Sequence, residues 1–461
     1  MKIVKKVVIE GFWGDRRVEV DLFPDVNFLI GPNGSGKTTL INLIAAALTA
    51  DYKTLARIMF DQITISLDGK KLGRKKNISF IKVSKRLEMG SQVIDYRLSF
   101  GDDRPEISYS LDDVDSRSLA RRLVNEPSQL PGSSPRGAVA TALKFGALGL
   151  LGALDSLVSV NWLSVDRTLS LERWRDGRSY ESAIDLRLES LSNKMVRFFS
   201  KVAQERDDAI QDFHQKVLLS FIEFPADSTT RLNIKKTTLE DVKKIASILK
   251  KTFRDAKIED SLGQTYLNDF VDRAANALEK FSTLMSERER SAGAPRQREA
   301  PSSDQLKIFN DFFMVSQKII DSSKVAELAS NLQEKLDSIS FNRNLFIQTA
   351  NQLYLKKELI INDSNEILFR TTSGKTLAPQ ALSSGEKQML VLLSEMFLQD
   401  SRRSIMIADE PELSLHLHWQ EKLIASLKNL NPHGQLIVAT HSPDVVGLRT
   451  DRVTRVNEII A

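Results

Sequence analysis

The run Gly31-Pro32-Asn33-Gly34-Ser35-Gly36-Lys37-Thr38-Thr39 limits what this chain can fold into more than any other stretch. Apolar residues 26–30 precede it and read as a strand; residues 40–48, rich in Leu, Ile and Ala, follow and read as a helix. A strand, a glycine-rich loop and a helix in that order make an anion nest. Gly31, Gly34 and Gly36 let the backbone curl so that successive N–H groups converge. The helix N-terminus adds the positive end of its dipole. In such a loop Asn33, Gly34, Ser35, Gly36 and Thr39 surround the phosphates, Lys37 reaches the β- and γ-phosphates, and Thr38 holds Mg²⁺. The expected ligand is a nucleoside triphosphate.

A chain of 461 residues is long enough for two or three domains, and its 41 % hydrophobic and 27 % charged residues are those of an ordinary soluble protein. The formal charge of +5, from 65 basic and 60 acidic residues, permits contact with nucleic acid without arguing for it. With no cysteine, structural disulfides, thiolate metal sites and cysteine nucleophiles are excluded. The absence also agrees with a cytoplasmic location. Residues 1–10 have no signal-peptide layout and read as a strand. Residues 137–160 are long, apolar and rich in small side chains, but Lys144 and Asp155 interrupt them. A buried helix with close Gly and Ala packing is expected there rather than a membrane span.

Residues 2–9, 17–22 and 27–30 read as strands separated by Gly11, Gly14 and Pro24. Further strand patterns at 61–67, 78–83 and 93–100 imply a β-rich subdomain beside the nucleotide loop. A Pro/Gly/Ser connector at 127–135 and a core strand at 158–165 complete an N-terminal lobe over 1–181. From 182 to 340 the pattern is helical and charged, as in Leu239, Val242, Ile245, Ile248 and Leu249 on one face. Residues 291–304 lack apolar periodicity and read as a loop within this helical insertion. After it, 305–336 offers a face of Phe309, Phe312, Phe313, Ile319 and Ile320. Sustained heptads are missing, so a long coiled coil is not expected. A hairpin at 357–371 opens a second ATPase lobe over 341–461.

That second lobe carries the rest of the chemistry. Ser383, Ser384, Gly385 and Glu386 open a helix over 386–398, with Ser383 and Glu386 at capping-box spacing. The exposed N–H groups and the Ser383 hydroxyl there can bind a phosphate. The apolar strand from Ser404 ends in Asp409 and Glu410, where Asp409 can bind Mg²⁺ and Glu410 can orient and deprotonate a water. A further strand at 435–440 ends at His441, placed by strand order to donate a hydrogen bond to a γ-phosphate. Of five histidines only His416 and His418 lie close together, without an acidic third ligand, so a metal role for them is not expected.

These elements, in this order, resemble an ABC-type ATPase head, an α/β P-loop fold, here with a β-rich N-terminal subdomain and an inserted helical arm. Gly31–Thr39 resembles its Walker A loop, 382–388 its signature, 405–410 its Walker B strand, 413–416 with Ser414 and His416 its D-loop, and His441 its switch histidine. The opening Ile9-Glu10-Gly11-Phe12, the arm and the ending Ala439-Thr440-His441-Ser442-Pro443 resemble the SMC/RecF/OLD group rather than a transporter subunit. That resemblance implies ATP and Mg²⁺ as cofactors and hydrolysis to ADP and phosphate. It further implies two heads sandwiching ATP, with Ser383 of one chain meeting the γ-phosphate held by Lys37 of the other. No clear Q-loop glutamine follows the 158–165 strand, where this chain offers Asp166 and Arg167; Phe12 or Trp13 could touch the adenine, the alternative being that either belongs to the core.

OLD-type nucleases continue into a TOPRIM domain, for which no Asp-x-Asp set remains after His441; any nuclease is expected to be a separate protein. Stand-alone heads of this kind resemble the ATPase subunits of the PARIS and Septu antiphage systems. The resemblance therefore implies a self-associating ATPase that acts in antiphage defence as sensor and regulator of a separately encoded effector, a nuclease, with no membrane partner. The rivals are a RecF-type repair ATPase acting directly on DNA and, further off, a transport ATPase.

Overall fold

A computed structural model describes residues 1–68, 79–88, 91–101, 105–112, 146–163, 183–220, 238–255, 260–291, 302–399 and 403–460. In chain order the elements are β1 (Val4–Phe12), β2 (Arg16–Asp21), β3 (Val26–Ile30), α1 (Lys37–Thr49), α2 (Tyr52–Arg57), β4 (Gln62–Leu67), β5 (Ser79–Glu88), β6 (Ser91–Ser99) and β7 (Ile107–Leu111). Then come α3 (Gly146–Leu157), β8 (Val160–Leu163), α4 (Ala183–Ser220), α5 (Leu239–Asp255), α6 (Asp260–Ser291) and α7 (Ser303–Asn351). The last part holds β9 (Lys357–Ile361), β10 (Ile367–Thr371), β11 (Thr376–Leu377), α8 (Ser384–Phe397), β12 (Ile405–Asp409), α9 (Leu417–Leu430), β13 (Gln435–Ala439), α10 (Pro443–Val446), β14 (Val453–Arg455) and α11 (Val456–Ile459). The connector at 127–135, Asp166 and Arg167, and most of the 291–304 loop lie outside the described residues. The described chain forms two compact units, one of residues 1–198 with 342–461 and one of 199–341.

The first unit is built on a parallel sheet ordered β14-β3-β13-β12-β8. Every residue of β12 and β13 is buried, the continuous apolar run that a parallel strand covered on both faces requires. A second sheet, antiparallel, runs β2-β1-β4-β5-β6-β7. Its β4 and β7 alternate buried with more exposed residues, so one face packs and the other meets water. One core joins the two sheets: Leu40, Leu43 and Ile44 of α1 belong to it together with Ile63 and Ile81 of the antiparallel sheet and Ile407 and Ile437 of the parallel one. Buried Gln435 ties β13 to β1: its side-chain oxygen accepts from the Val4 N–H at 2.9 Å and its amide donates to the Val4 carbonyl at 2.7 Å. A third, small sheet ordered β11-β10-β9 contains the expected hairpin.

Of the apolar stretch at 137–160, the described part forms α3, which is only 12 residues long. No helix among the described residues is long and apolar enough to cross a membrane.

The second unit is helical. Val242 of α5, Ala274 of α6 and Ile319 of α7 form one buried layer, and Leu249, Leu267 and Ala326 form the next. Helix α7 is longer than the 305–336 pattern suggests, reaching 49 residues. No Gly or Pro occurs within it to stop it. The aromatic face needs one correction. Phe309 and Phe312 pack against Phe281, but Phe313 is 66 % exposed. At about 100° from Phe312 around the helix it turns away from that contact.

Candidate nucleotide site

Parallel pairing aligns the ends of three strands. Leu29 of β3 sits opposite Ala439 of β13, and Ala439 opposite Asp409 of β12. The segments that leave those ends, the glycine-rich loop, Glu410 and His441, therefore emerge at one edge, where parallel α/β sheets place their ligands. Two backbone bonds extend the alignment past the strands: the Thr440 N–H donates to Leu29 at 3.1 Å and the Glu410 N–H to Ala439 at 2.8 Å.

The loop has the conformation its glycines allow, with Gly34 at φ +80° and Gly36 at φ +93°. Gly36 has no space for a side chain, since a Cβ would stand 2.8 Å from Cη2 of Trp13. Asn33 and Thr38 are exposed and Thr39 is half-buried. The Ser35 hydroxyl is buried and, among the described residues, has no hydrogen-bond partner.

Lys37 is buried, and its ammonium donates to the Gly31 and Pro32 carbonyls at 2.8 and 3.1 Å. Burial pulls its pKa below the ordinary lysine value, while Glu410 and Asp409 oppose that shift. Thr38 Oγ1 donates to Asp409 Oδ1 at 3.5 Å, so the two expected Mg²⁺ ligands face each other. Asp409 is 5 % exposed, and its carboxyl is pushed up to about 6. Burial is the main cause; the Thr38 hydrogen bond and Lys37 resist it, and the Glu410 and Glu412 charges add to it. Glu410 takes a positive φ of 42°, unusual for a residue with a side chain. Its Oε1 lies 3.6 Å from Nε2 of His441. Lys37, Thr38, Asp409, Glu410 and His441 thus form one cluster.

The residues expected to form the signature make a second group with partners of their own. Ser383 precedes α8, and its N–H and hydroxyl both donate to Glu386 Oε2 at 2.9 Å. The Lys357 ammonium donates to both Glu386 oxygens at 2.6 and 2.7 Å. Burial alone would raise the Glu386 pKa, but the hydrogen bonds from Lys357 and Ser383 outweigh it and hold the carboxyl below its usual range. Ser384 opens α8, and Gly385 packs on the backbone of Ser414, itself at φ +74°. His416 caps α9, its Nδ1 accepting the His418 N–H at 3.4 Å. Among the described residues no group of three or more His, Asp or Glu is arranged to hold a metal.

The two aromatics named as candidate adenine contacts differ in exposure. Phe12 is fully buried, whereas Trp13 is 38 % exposed, stacks on Phe12 at 4.9 Å and borders Gly36. The Arg16 guanidinium lies 5.5 Å from the Trp13 ring centre. Sequence reasoning missed Lys357, which pairs with Glu386, and buried Glu412, which accepts hydrogen bonds from Thr440, His441 and Ser442. A carboxylate two positions after Glu410, in a turn closing on a buried strand, is the signal that could have found Glu412.

The chain is similar to known proteins in sequence and in fold. A stretch 26 % identical to the Retron Vc95 probable ATPase of Vibrio cholerae serotype O1 biovar El Tor covers 31 % of this chain and 32 % of that protein. Another, 28 % identical to the Septu protein PtuA of Bacillus thuringiensis, covers 22 % of this chain and 27 % of that protein. The match thus spans about a third or less of these relatives' own length. Among solved structures, the Smc head domain with an extended coiled coil bound to the C-terminal domain of ScpA, from Pyrococcus furiosus, aligns over 97 % of this chain and 91 % of that one. Its TM-score is 0.38 at 14 % identity. The model of the AAA ATPase domain matches residues 1–446, nearly the whole chain, and the protein belongs to that family.

Proposed function

We propose that this protein hydrolyses ATP to ADP and phosphate in sites shared between two copies of the chain. The convergence of Lys37, Thr38, Asp409, Glu410 and His441 on one sheet edge carries this reading. The positive-φ glycines offer N–H groups to the phosphates, and Lys37 leaves the Gly31 and Pro32 carbonyls for the β- and γ-phosphates. Thr38 and Asp409 are the pair suited to Mg²⁺, which when bound neutralises phosphate charge. Glu410 orients the attacking water and takes its proton, and His441 donates to the γ-phosphate. Ser383 and its neighbours serve the nucleotide of the opposing copy, which accounts for their separate set of partners.

The setting we infer is antiphage defence in the cytoplasm, with residues 182–340 as an arm inserted into the head. The protein would act as a sensor that controls a separate effector, a nuclease. The match to a Septu protein and to a retron ATPase supports this, in line with the motif resemblance. Steady-state phosphate release tests the chemistry: Lys37→Ala loses ATP binding, and Glu410→Gln binds ATP without turning it over. Unchanged turnover in either variant contradicts the assignment. Co-purification with the product of a neighbouring gene, and ATP-dependent change in that product's nuclease activity, tests the setting.

A further inference from the structure

Glu412 is 7 % exposed, a carboxylate buried where burial needs a reason. Its Oε1 accepts three donors from the segment after β13: the Thr440 hydroxyl at 2.5 Å, the His441 N–H at 2.9 Å and the Ser442 N–H at 3.3 Å. Its Oε2 is buried and has no hydrogen-bond partner among the described residues. One oxygen therefore does all of the tying. The tie runs between the segment that follows β12, which carries Glu410, and the segment that follows β13, which carries His441.

The surroundings make this tie the device that sets His441. The His441 side chain is 39 % exposed, and the contact recorded for its ring is Nε2 to Glu410 Oε1 at 3.6 Å. Its placement must come from its backbone. That backbone leaves β13 at Ala439; the Thr440 N–H is held by the Leu29 carbonyl, and beyond it the His441 N–H needs an acceptor of its own. Glu412 supplies that acceptor for His441 and Ser442 together. Ser442 extends the brace, its hydroxyl donating to Gln420 at 2.7 Å and its N–H also reaching the Thr440 hydroxyl at 3.0 Å.

We propose that Glu412 is a positioning residue for ATP hydrolysis: through the backbone of 440–442 it holds the His441 imidazole in register with Glu410. The inference rests on the proposed role of His441. Displacing a group by a fraction of its reach costs rate rather than substrate affinity.

Turnover and ATP affinity of Glu412→Ala, His441→Ala and the double variant test it. Glu412→Ala is expected to lose on the order of tenfold or more in kcat while ATP affinity stays within about threefold. The double variant is expected to be no slower than His441→Ala, because both changes remove one unit. Glu412→Gln keeps an oxygen acceptor and is expected to restore kcat to within about threefold of the unaltered protein. If Glu412→Ala does not fold, Thr440→Val, which deletes one donor at constant shape, takes its place in the same cycle. Multiplying losses in the double variant, or a normal kcat for Glu412→Ala or Thr440→Val beside an impaired His441→Ala, overturns the role of Glu412 alone. A normal kcat for His441→Ala overturns the histidine's role and this inference with it.

Discussion

A Cβ on Gly385 would stand 2.3 Å from the carbonyl oxygen of Ser414. The start of α8 and the turn after β12 are thus in backbone contact, and the obstacle is a carbonyl rather than a side chain that can swing aside. Gly385→Ala must push the Ser414 segment away. Chemical denaturation is expected to show a loss of about 1–3 kcal/mol. ATP binding at Lys37 is expected to survive while turnover falls, because the displaced turn leads back to Glu410 and Glu412.

Asp409 predicts a pH dependence with two opposite signs. Its carboxyl is raised to about 6 in the fold, above its unfolded value. Between those values the folded chain holds a proton that the unfolded chain has lost. This group therefore favours the empty fold increasingly as pH falls through about 6, and that contribution is lost as pH rises. Magnesium needs the ionised form, so Mg²⁺-dependent ATP binding is expected to weaken about tenfold at about pH 5 relative to about pH 7.5. Titrations with and without Mg²⁺ at both pH values check this; Asp409→Asn should abolish the difference.

The start of α4 is held to α8 by charge. Arg187 donates to Glu395 Oε1 from Nε at 3.0 Å and from Nη2 at 2.8 Å, and to the Trp162 carbonyl at 3.0 Å. The Glu395 side chain is only 10 % exposed, so Arg187→Ala leaves a nearly buried carboxylate without its partner. Because Arg187 itself is partly solvated, the expected cost is about 2 kcal/mol, below the ~3–5 kcal/mol of a fully buried pair. Replacing both residues by apolar ones of similar volume should recover most of it. Denaturant midpoints of the single and double variants read both effects.

Trp13, exposed beside Gly36 of the glycine-rich loop, is the residue we propose for the adenine ring. Trp13→Ala is expected to weaken ATP binding about tenfold, and Trp13→Phe to keep most of it, because stacking area rather than the indole N–H carries the contact. Competition by free triphosphate should change little. Equal affinity of Trp13→Ala and the unaltered protein would place the base elsewhere.

Short-range spacing was the legible part of this molecule. The residues around Lys37 and the pair Asp409–Glu410 are each set by a strand end and the turn after it, so their order in sequence is nearly their order in space. The aligned ends of β3, β12 and β13 follow once the strands are taken as parallel. Lys357 lies 29 residues from Glu386, and Glu412 lies 28 from Thr440. Such pairs depend on how loops and helices close over the sheet, which no local pattern records. Phe313 shows the same limit from the other side: an apolar residue next to Phe312 looks like part of one face until the helix turn separates them. That Phe12 is buried and Trp13 exposed beside Gly36 depends on packing that the sequence does not record.

The mass of the Glu410→Gln protein in solution, by light scattering with and without ATP and Mg²⁺, tests the shared site most directly. The account predicts an ATP-dependent gain of a second copy that the added change Ser383→Arg prevents, while ATP still binds to each separate chain. A mass unaffected by ATP, or an ATP-bound assembly that Ser383→Arg leaves intact, would contradict it.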